Sequence, residues 1–148
     1  MNSQKNIFLI SNTSWYLYNF RRSTIAALLA QGYRVICLSP LDDFSQRLVD
    51  EIGAEHIALP LDGKSTGLLQ ELGSIGFIWR VMRQYKPDFV FNFTVKMNIY
   101  SGLVCSLLKI PFANNISGLG TAFIHDSWLF RRVRQVYGMV KSRARRLF

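Results

Sequence analysis

The chain has 148 residues, the size of one domain with a substantial core, and its 49% hydrophobic and 14% aromatic content excludes a disordered polypeptide. The net charge of +9 is localised: residues 1–127 carry 11 basic and 9 acidic side chains, whereas residues 128–148 carry 7 basic and no acidic ones. No apolar run is long enough to span a bilayer and the N-terminus lacks a signal-peptide pattern, so we expect a cytoplasmic protein.

Five short apolar runs rich in β-branched or aromatic residues predict five strands, and stretches of helical periodicity separate them. The predicted strands are 7–10, 35–38, 57–59, 89–93 and 111–113. The first helix ends at Gly32, the second ends before Gly53, and the fourth covers about 98–108. The third helix is predicted from one apolar face, formed by Leu68, Leu72, Ile75, Trp79 and Met82.

This alternation of strands and helices, with near-continuous apolar strands, predicts an α/β fold with a doubly wound parallel sheet covered on both faces. Right-handed crossovers favour the strand order 3-2-1-4-5. Ligands of such sheets bind beyond the carboxyl ends of the strands, where the strand order reverses. We therefore expect residues 1–148 to form one domain with a ligand crevice between the first and fourth strands.

Three polar loops are predicted to meet at this crevice, with the sequences SNTSWYLYN, TVKMN and NNISGLGT. The first loop has aromatic residues and asparagines where dinucleotide-binding domains have glycines, which disfavours a nicotinamide-dependent enzyme. Aromatic faces suit the C–H faces of a sugar or a lipid, and asparagine and threonine side chains suit hydroxyl groups. Arg21, Arg22 and Lys96 suit a phosphate or diphosphate, aided by the N-terminus of the first helix.

Each of these features also has a purely structural interpretation. Tyr18 and Phe20 would form a hydrophobic staple, while Arg21, Arg22 and Lys96 would be solvated surface charges. The glycines of the GLGT segment would serve a tight loop instead of exposing N–H groups to an anion.

Other residue patterns indicate little catalytic chemistry. The crevice loops hold no pair of carboxylates for glycosidase chemistry, and no metal-ligand spacing occurs, so we expect neither a metal nor a cofactor and assign no catalytic residue. His56 is interpreted as structural or solvent-exposed and is expected at the opposite edge of the sheet from the crevice. His125, beyond the third loop, is the histidine placed to act as a base. Cys37 and Cys105 lie far apart in the sequence and are expected to be buried, reduced thiols.

The chain resembles the N-terminal half of family 4 glycosyltransferases of GT-B fold, above all bacterial enzymes that build surface polysaccharide on a lipid carrier. Three segments carry the resemblance: SNTSWYLYNFRRS after the first strand, YKPDFVFNFTVKMNIYSG around the fourth and IPFANNISGLGTAF around the fifth. It covers essentially the whole chain.

The resemblance implies a Rossmann-like domain that holds the acceptor, opposite a second domain that holds the nucleotide sugar. The candidate acceptor-side residues, with Arg21 added from its charge, are Asn12, Trp15, Tyr16, Asn19, Arg21, Thr94, Lys96, Asn98, Asn115, Ser117, Gly118, Gly120 and Thr121. Many members of the family carry a histidine where this chain has Ser117, so no catalytic histidine is carried over. Since the chain ends at Phe148, we expect the donor-binding domain to be absent from it.

The C-terminal segment predicts a basic amphipathic helix at about 128–146. It either lies on an anionic membrane surface or closes the domain with its arginines solvated. Nucleic acid is not expected, because the rest of the chain is nearly neutral and has no recognition motif. The candidate membrane-contacting residues are Arg131, Arg132, Arg134, Lys141, Arg143, Arg145 and Arg146.

The sequence therefore predicts the acceptor-binding half of a retaining glycosyltransferase. The complete enzyme would move a hexosyl or N-acetylhexosaminyl group from a nucleotide sugar to a lipid-linked saccharide, in the assembly of O-antigen, capsule or another surface glycan. It would be a peripheral protein at the inner face of the plasma membrane, and this chain alone would be inactive. The alternative is a non-catalytic membrane-peripheral module or a subunit of a split glycosyltransferase.

Overall fold

The computed structural model describes residues 3–61 and 67–115 together with the backbone of 146–147. Within these residues the strands form one parallel sheet in the order β3-β2-β1-β4-β5-β6. The predicted order 3-2-1-4-5 is confirmed, and β6 is added beyond β5. The strands are β1 (Asn6–Ile10), β2 (Arg34–Ser39), β3 (Glu55–Ala58), β4 (Phe89–Asn92), β5 (Phe112–Asn114) and β6 (Arg146–Leu147).

Helices connect these strands and cover both faces of the sheet. They are α1 (Ser14–Phe20), α2 (Arg22–Ala30), α3 (Ser45–Arg47), which continues as a π-helical turn (Leu48–Ile52), α4 (Leu68–Tyr85) and α5 (Val95–Leu108). Thr13 caps α1, since its hydroxyl accepts a hydrogen bond from Tyr16 N at 3.1 Å. The single first helix predicted from sequence is instead two helices, because the backbone of Arg21 leaves the helical region between them (φ −122°, ψ 8°).

Two apolar layers hold the sheet, one on each face, because successive residues of a strand point to opposite sides. Phe8 and Ile10 face the layer shared with α4 and α5, which includes Ile78 and Val104. Ile7 and Leu9 face the layer beneath α1, α2 and the π-helical turn. The sheet is therefore buried on both sides, which explains why its strands are apolar at nearly every position.

The helix α4 packs on the sheet with only part of the predicted face. Its buried residues are Ser74, Ile78, Val81 and Met82, and Ile75 and Trp79 are partly buried against the same layer. The prediction is wrong for Leu68 and Leu72, which are 72% and 55% exposed. The core contacts of α4 come from its later turns, so periodicity identified the helix but not the length of its buried stripe.

Both cysteines are free and buried, as the sequence predicts. Burial raises the pKa of each thiol, Cys37 and Cys105, to about 12. Neither thiol is ionised near neutral pH, so neither is a nucleophile in the folded chain.

The predicted C-terminal helix lies outside the described residues except at its end. There the prediction is wrong for Arg146, because Arg146–Leu147 form β6 and pair with Ala113 and Asn114 of β5. A backbone engaged in a parallel ladder cannot also make the hydrogen bonds of a helix. The membrane contacts assigned to this segment stay predictions.

Candidate functional site

The candidate site is the switch point between β1 and β4, where the chain turns to opposite sides of the sheet. Three chain segments meet there, as the sequence predicts. Phe93 N donates to Ile10 O at 2.8 Å, joining the end of β4 to the end of β1, and Asn115 N donates to Asn92 O at 2.9 Å, joining the end of β5 to β4.

Arg21 is the charge best placed to bind an anion at this edge. Its guanidinium carbon lies 4.7 Å from the centroid of the Phe93 ring and 5.6 Å from that of Tyr16. Its Nη2 donates to the Tyr16 hydroxyl at 3.0 Å, whereas its buried Nε has no hydrogen-bond partner in the described part of the chain. Among the described residues, no carboxylate forms an ion pair with it. A partly buried cation whose charge is not neutralised by a described carboxylate favours an anionic ligand.

Arg22, the next residue, is engaged in the fold instead. Its Nη2 lies 3.5 Å from Glu51 Oε2, and its guanidinium carbon lies 4.8 Å from the Tyr18 ring centroid. Arg47 Nε donates to Glu51 at 2.7 Å, and the Tyr18 hydroxyl donates to the same carboxylate. The structural interpretation therefore fits Arg22 and not Arg21.

The aromatic residues of the first loop divide between the core and the surface. Trp15 is 47% exposed and Phe20 is 57% exposed, and their rings meet edge to face at 5.4 Å. Tyr16 contacts Phe20 at 5.2 Å, whereas Tyr18 is buried and contacts Phe44 at 5.3 Å. Tyr18 and Phe20 thus have different aromatic neighbours, which gives no support to a staple between them.

The two asparagines predicted in this loop are exposed. Asn19 Nδ2 donates to Trp15 O at 2.9 Å, one turn earlier in its own helix. Asn12 lies at the beginning of the loop, between β1 and the Thr13 cap. Asn19 therefore stabilises α1, and both side chains are on the surface.

Buried asparagines link the ends of β4 and β5. Asn92 and Asn114 are opposite each other in the parallel register, and Asn92 Nδ2 donates to Asn114 Oδ1 at 2.9 Å. Asn98 Nδ2 donates to Asn115 O at 2.6 Å. Asn92 Oδ1 is buried and has no partner among the described residues. Sequence reasoning missed Asn92 as a site residue, although two asparagines at the last positions of neighbouring strands were a usable signal.

Thr94 lies between β4 and α5 in a backbone conformation that side chains rarely adopt. Its φ of 76° and ψ of 151° fall in a region occupied almost only by glycine, and such strain costs about 1–3 kcal/mol. Its hydroxyl is buried, has no partner within residues 3–61 and 67–115, and does not cap α5. Strain of this kind concentrates at functional sites, which supports the predicted role of Thr94.

Lys96 lies in the first turn of α5 and is partly neutralised. Its Nζ is 3.7 Å from Glu71 Oε1 of α4 and 5.9 Å from the Tyr100 ring centroid. Burial, together with a hydrogen bond to Glu71, raises the pKa of the Tyr100 hydroxyl, so this group stays protonated. Lys96 is therefore a weaker anion-binding candidate than Arg21.

His56 takes part in a polar cluster beneath α1, a position the sequence did not predict. Its Nε2 lies 3.1 Å from Ser39 Oγ and 3.3 Å from Ser14 Oγ. Ser14 Oγ also lies 2.9 Å from Pro40 O, which can only accept, and 2.7 Å from Ser39 Oγ. The three shorter contacts are satisfied together when Nε2–H donates to Ser39, Ser39 to Ser14 and Ser14 to Pro40. The cluster fixes the N-terminus of α1, so the structural interpretation of His56 fits.

The folded chain is expected to lose stability at mildly acidic pH through His56. Burial lowers its pKa, although a hydrogen bond with the backbone of Ser39 and the charge of Asp42 oppose this shift. A depressed histidine pKa stabilises the fold above the unfolded pKa of about 6.5, and this contribution is lost as the pH falls through the folded pKa. The free energy of unfolding, measured with urea at about pH 8 and at about pH 5, should fall more for the wild-type chain than for His56→Gln. Equal losses in the two chains would contradict this assignment.

Four predicted site residues lie outside the described residues: Ser117, Gly118, Gly120 and Thr121. The same is true of His125 and of the basic residues from Arg131 to Arg145. Among the described residues, no cluster of three or more His, Cys, Asp or Glu side chains could hold a metal ion. None of the helices in this part of the chain is long and apolar enough to cross a bilayer.

Comparison with known proteins identifies the family. The family model described as "Glycosyl transferase 4-like" matches residues 6–148, and the chain belongs to this family. A curated relative from Campylobacter jejuni is N,N'-diacetylbacillosaminyl-diphospho-undecaprenol alpha-1,3-N-acetylgalactosaminyltransferase. It is 26% identical over 131 residues, which cover 88% of this chain and 35% of the relative.

Solved structures share the fold. MurG of Acinetobacter baumannii matches 97% of the chain and 40% of its own length, with a TM-score of 0.67 and 16% identity. A putative UDP-N-acetylglucosamine 2-epimerase from Listeria monocytogenes matches 99% of the chain and 39% of its own length, with a TM-score of 0.68 and 14% identity. The chain thus spans 35% to 40% of the length of these proteins.

Proposed function

We propose that the chain is the acceptor-binding half of a retaining glycosyltransferase that extends a lipid-linked saccharide. Membership of the glycosyl transferase 4-like family supports sugar transfer. The Campylobacter relative, whose name specifies a diphospho-undecaprenol acceptor, supports an acceptor of the same chemical class. A hexosyl or N-acetylhexosaminyl group from a nucleotide sugar would be transferred, with the donor held by a second domain.

Arg21 is the observation that carries this proposal. A diphosphate linkage is a compact anion, and an arginine that has no carboxylate partner among the described residues can donate charge-assisted hydrogen bonds to phosphate oxygens. The Tyr16 and Phe93 rings keep the guanidinium in place, so little side-chain entropy is lost when a ligand binds. Arg21 therefore holds the acceptor's diphosphate in this proposal.

The saccharide would lie next to the same edge of the sheet. The exposed rings of Trp15 and Phe20 offer apolar surfaces for the C–H face of a sugar. The Thr94 hydroxyl and Asn92 Oδ1 are buried polar atoms at the end of β4 without a hydrogen-bond partner among the described residues, and a sugar hydroxyl would supply one. In this arrangement the diphosphate and the saccharide have separate contacts on one crevice wall.

A titration of matched arginine variants tests the proposal. The ligand is a short-chain prenyl-diphospho-saccharide that is soluble in water, and binding is measured by calorimetry. We expect Arg21→Gln to weaken binding by about tenfold or more, because a charge-assisted hydrogen bond contributes about 1.5–3 kcal/mol. Arg22→Gln, which removes a neighbouring charge engaged with Glu51, should change binding by less than about twofold.

The free saccharide, without diphosphate, should bind the wild-type chain and Arg21→Gln with equal affinity. Equal effects of the two arginine substitutions on the diphospho-saccharide would show that only net charge matters. That result would contradict the assignment of Arg21 to the acceptor's diphosphate. If the wild-type chain did not bind the ligand at all, the proposed acceptor-binding function would be wrong.

A further inference from the structure

The first two turns of α4 carry three exposed leucines. Leu68, Leu69 and Leu72 are 72%, 87% and 55% exposed, and the spacing of one and four residues places them on neighbouring sides of the helix. We call these residues the leucine patch. Isolated exposed leucines are common on protein surfaces, but three within two turns form a local apolar surface that needs an explanation.

The leucine patch lies at the same edge of the sheet as the candidate site. A helix that follows a parallel strand runs back along it, so the first turns of α4 and α5 both lie at the carboxyl edge. Glu71, which lies within the patch sequence, is 3.7 Å from Lys96 in the first turn of α5. Lys96 follows Thr94 by two residues, so this ion pair connects the helix of the patch to the wall of the crevice.

We propose that the leucine patch inserts into the surface of the bilayer that carries the lipid-linked acceptor. This inference rests on the proposed function. An acceptor of this class has its diphosphate at the headgroup level and its hydrocarbon below, so a domain that binds it needs an apolar surface beside the diphosphate site. The patch provides that surface one helix away from Thr94.

The chemistry of the patch favours a bilayer over a protein partner. Three leucine side chains fall well short of the roughly 1,000 Å² that a specific protein interface buries. Leucines on a helix can enter the boundary between headgroups and acyl chains to a shallow depth. The charge of Glu71 is matched by Lys96, so the patch brings no uncompensated negative charge to an anionic membrane.

Vesicle co-sedimentation tests the proposal with a variant that combines Leu68→Ser, Leu69→Ser and Leu72→Ser. The matched control combines Val49→Ser and Leu107→Ser, which are 37% and 57% exposed in the π-helical turn and in the last turn of α5, away from the patch. Vesicles of phosphatidylcholine alone in high salt remove electrostatic attraction and report apolar insertion. We expect the patch variant to lose about tenfold or more in partitioning, and the control to stay within about twofold of the wild-type chain.

A circular-dichroism melt checks that each variant folds, and Leu69→Ser alone replaces the triple variant if the latter is unstable. Unchanged partitioning of the patch variant would overturn the inference. So would a wild-type chain that self-associates without vesicles when the patch variant stays monomeric, because the patch would then be an interface between copies. Titration with the soluble short-chain acceptor separates the two proposals: if that binding is retained and vesicle binding does not depend on the patch, only the membrane inference fails.

Discussion

The purified chain is expected to show no measurable transfer of sugar from a nucleotide sugar to a lipid-linked saccharide. Transfer requires the donor diphosphate, the anomeric carbon and the acceptor hydroxyl in near-attack geometry, and this positioning supplies roughly 7–11 kcal/mol of the barrier. The described crevice supplies Arg21 on one wall, and its loop residues 11–13, 93–94 and 115 contain no carboxylate. Charge that develops on the leaving diphosphate therefore lacks the stabilisation that an opposing domain would provide.

Activity should appear when a donor-binding domain of the same family is joined to the chain or added as a separate polypeptide. Product formation would be followed by chromatography of a fluorescent short-chain acceptor, with Arg21→Gln in the active assembly as the control for acceptor binding. Steady transfer by residues 1–148 alone, absent in an Arg21→Gln preparation purified in the same way, would contradict the proposal. It would show that this domain catalyses transfer without a donor-binding domain.

The sheet could be predicted from the sequence because its determinants are local or topological. The run Ile7, Phe8, Leu9 and Ile10 places apolar side chains on both faces of the sheet. This pattern is expected of a strand that is buried on both sides. Because crossover connections between parallel strands are right-handed, few strand orders are then possible. The predicted bounds were displaced by one or two residues at several strands because hydrogen bonding continues into polar residues such as Asn6.

The surroundings of the site's charges could not be predicted, because they depend on contacts between distant segments. Arg21 and Arg22 are adjacent and chemically identical, yet one packs against Phe93 and the other pairs with Glu51. The polar cluster of His56 with Ser14 likewise joins residues 42 positions apart. Asn92 and Asn114 are the exception, since parallel register makes the ends of neighbouring strands predictable neighbours.

Substitution of Thr94 is expected to separate stability from ligand binding. Thr94→Gly relieves a backbone strain of about 1–3 kcal/mol but adds the entropy of an unfolded glycine, which is about 0.5–1 kcal/mol. The net expectation is a gain of about 1 kcal/mol in the free energy of unfolding. The same variant loses the buried hydroxyl, so binding of the short-chain acceptor should weaken by about tenfold.

Two matched variants distinguish the hydroxyl from the backbone. Thr94→Ser keeps both the strain and the hydroxyl and should bind like the wild-type chain, whereas Thr94→Ala keeps the strain and should bind as weakly as Thr94→Gly. Urea unfolding should rank Thr94→Gly above Thr94→Ala, because only glycine accepts a φ of 76° with ψ at 151° without strain. A Thr94→Gly chain that is less stable than Thr94→Ala would show that the conformation is not strained. If its acceptor affinity also matched that of the wild-type chain, the Thr94 hydroxyl would have no part in the site, and α5 would begin in this conformation for reasons of packing alone.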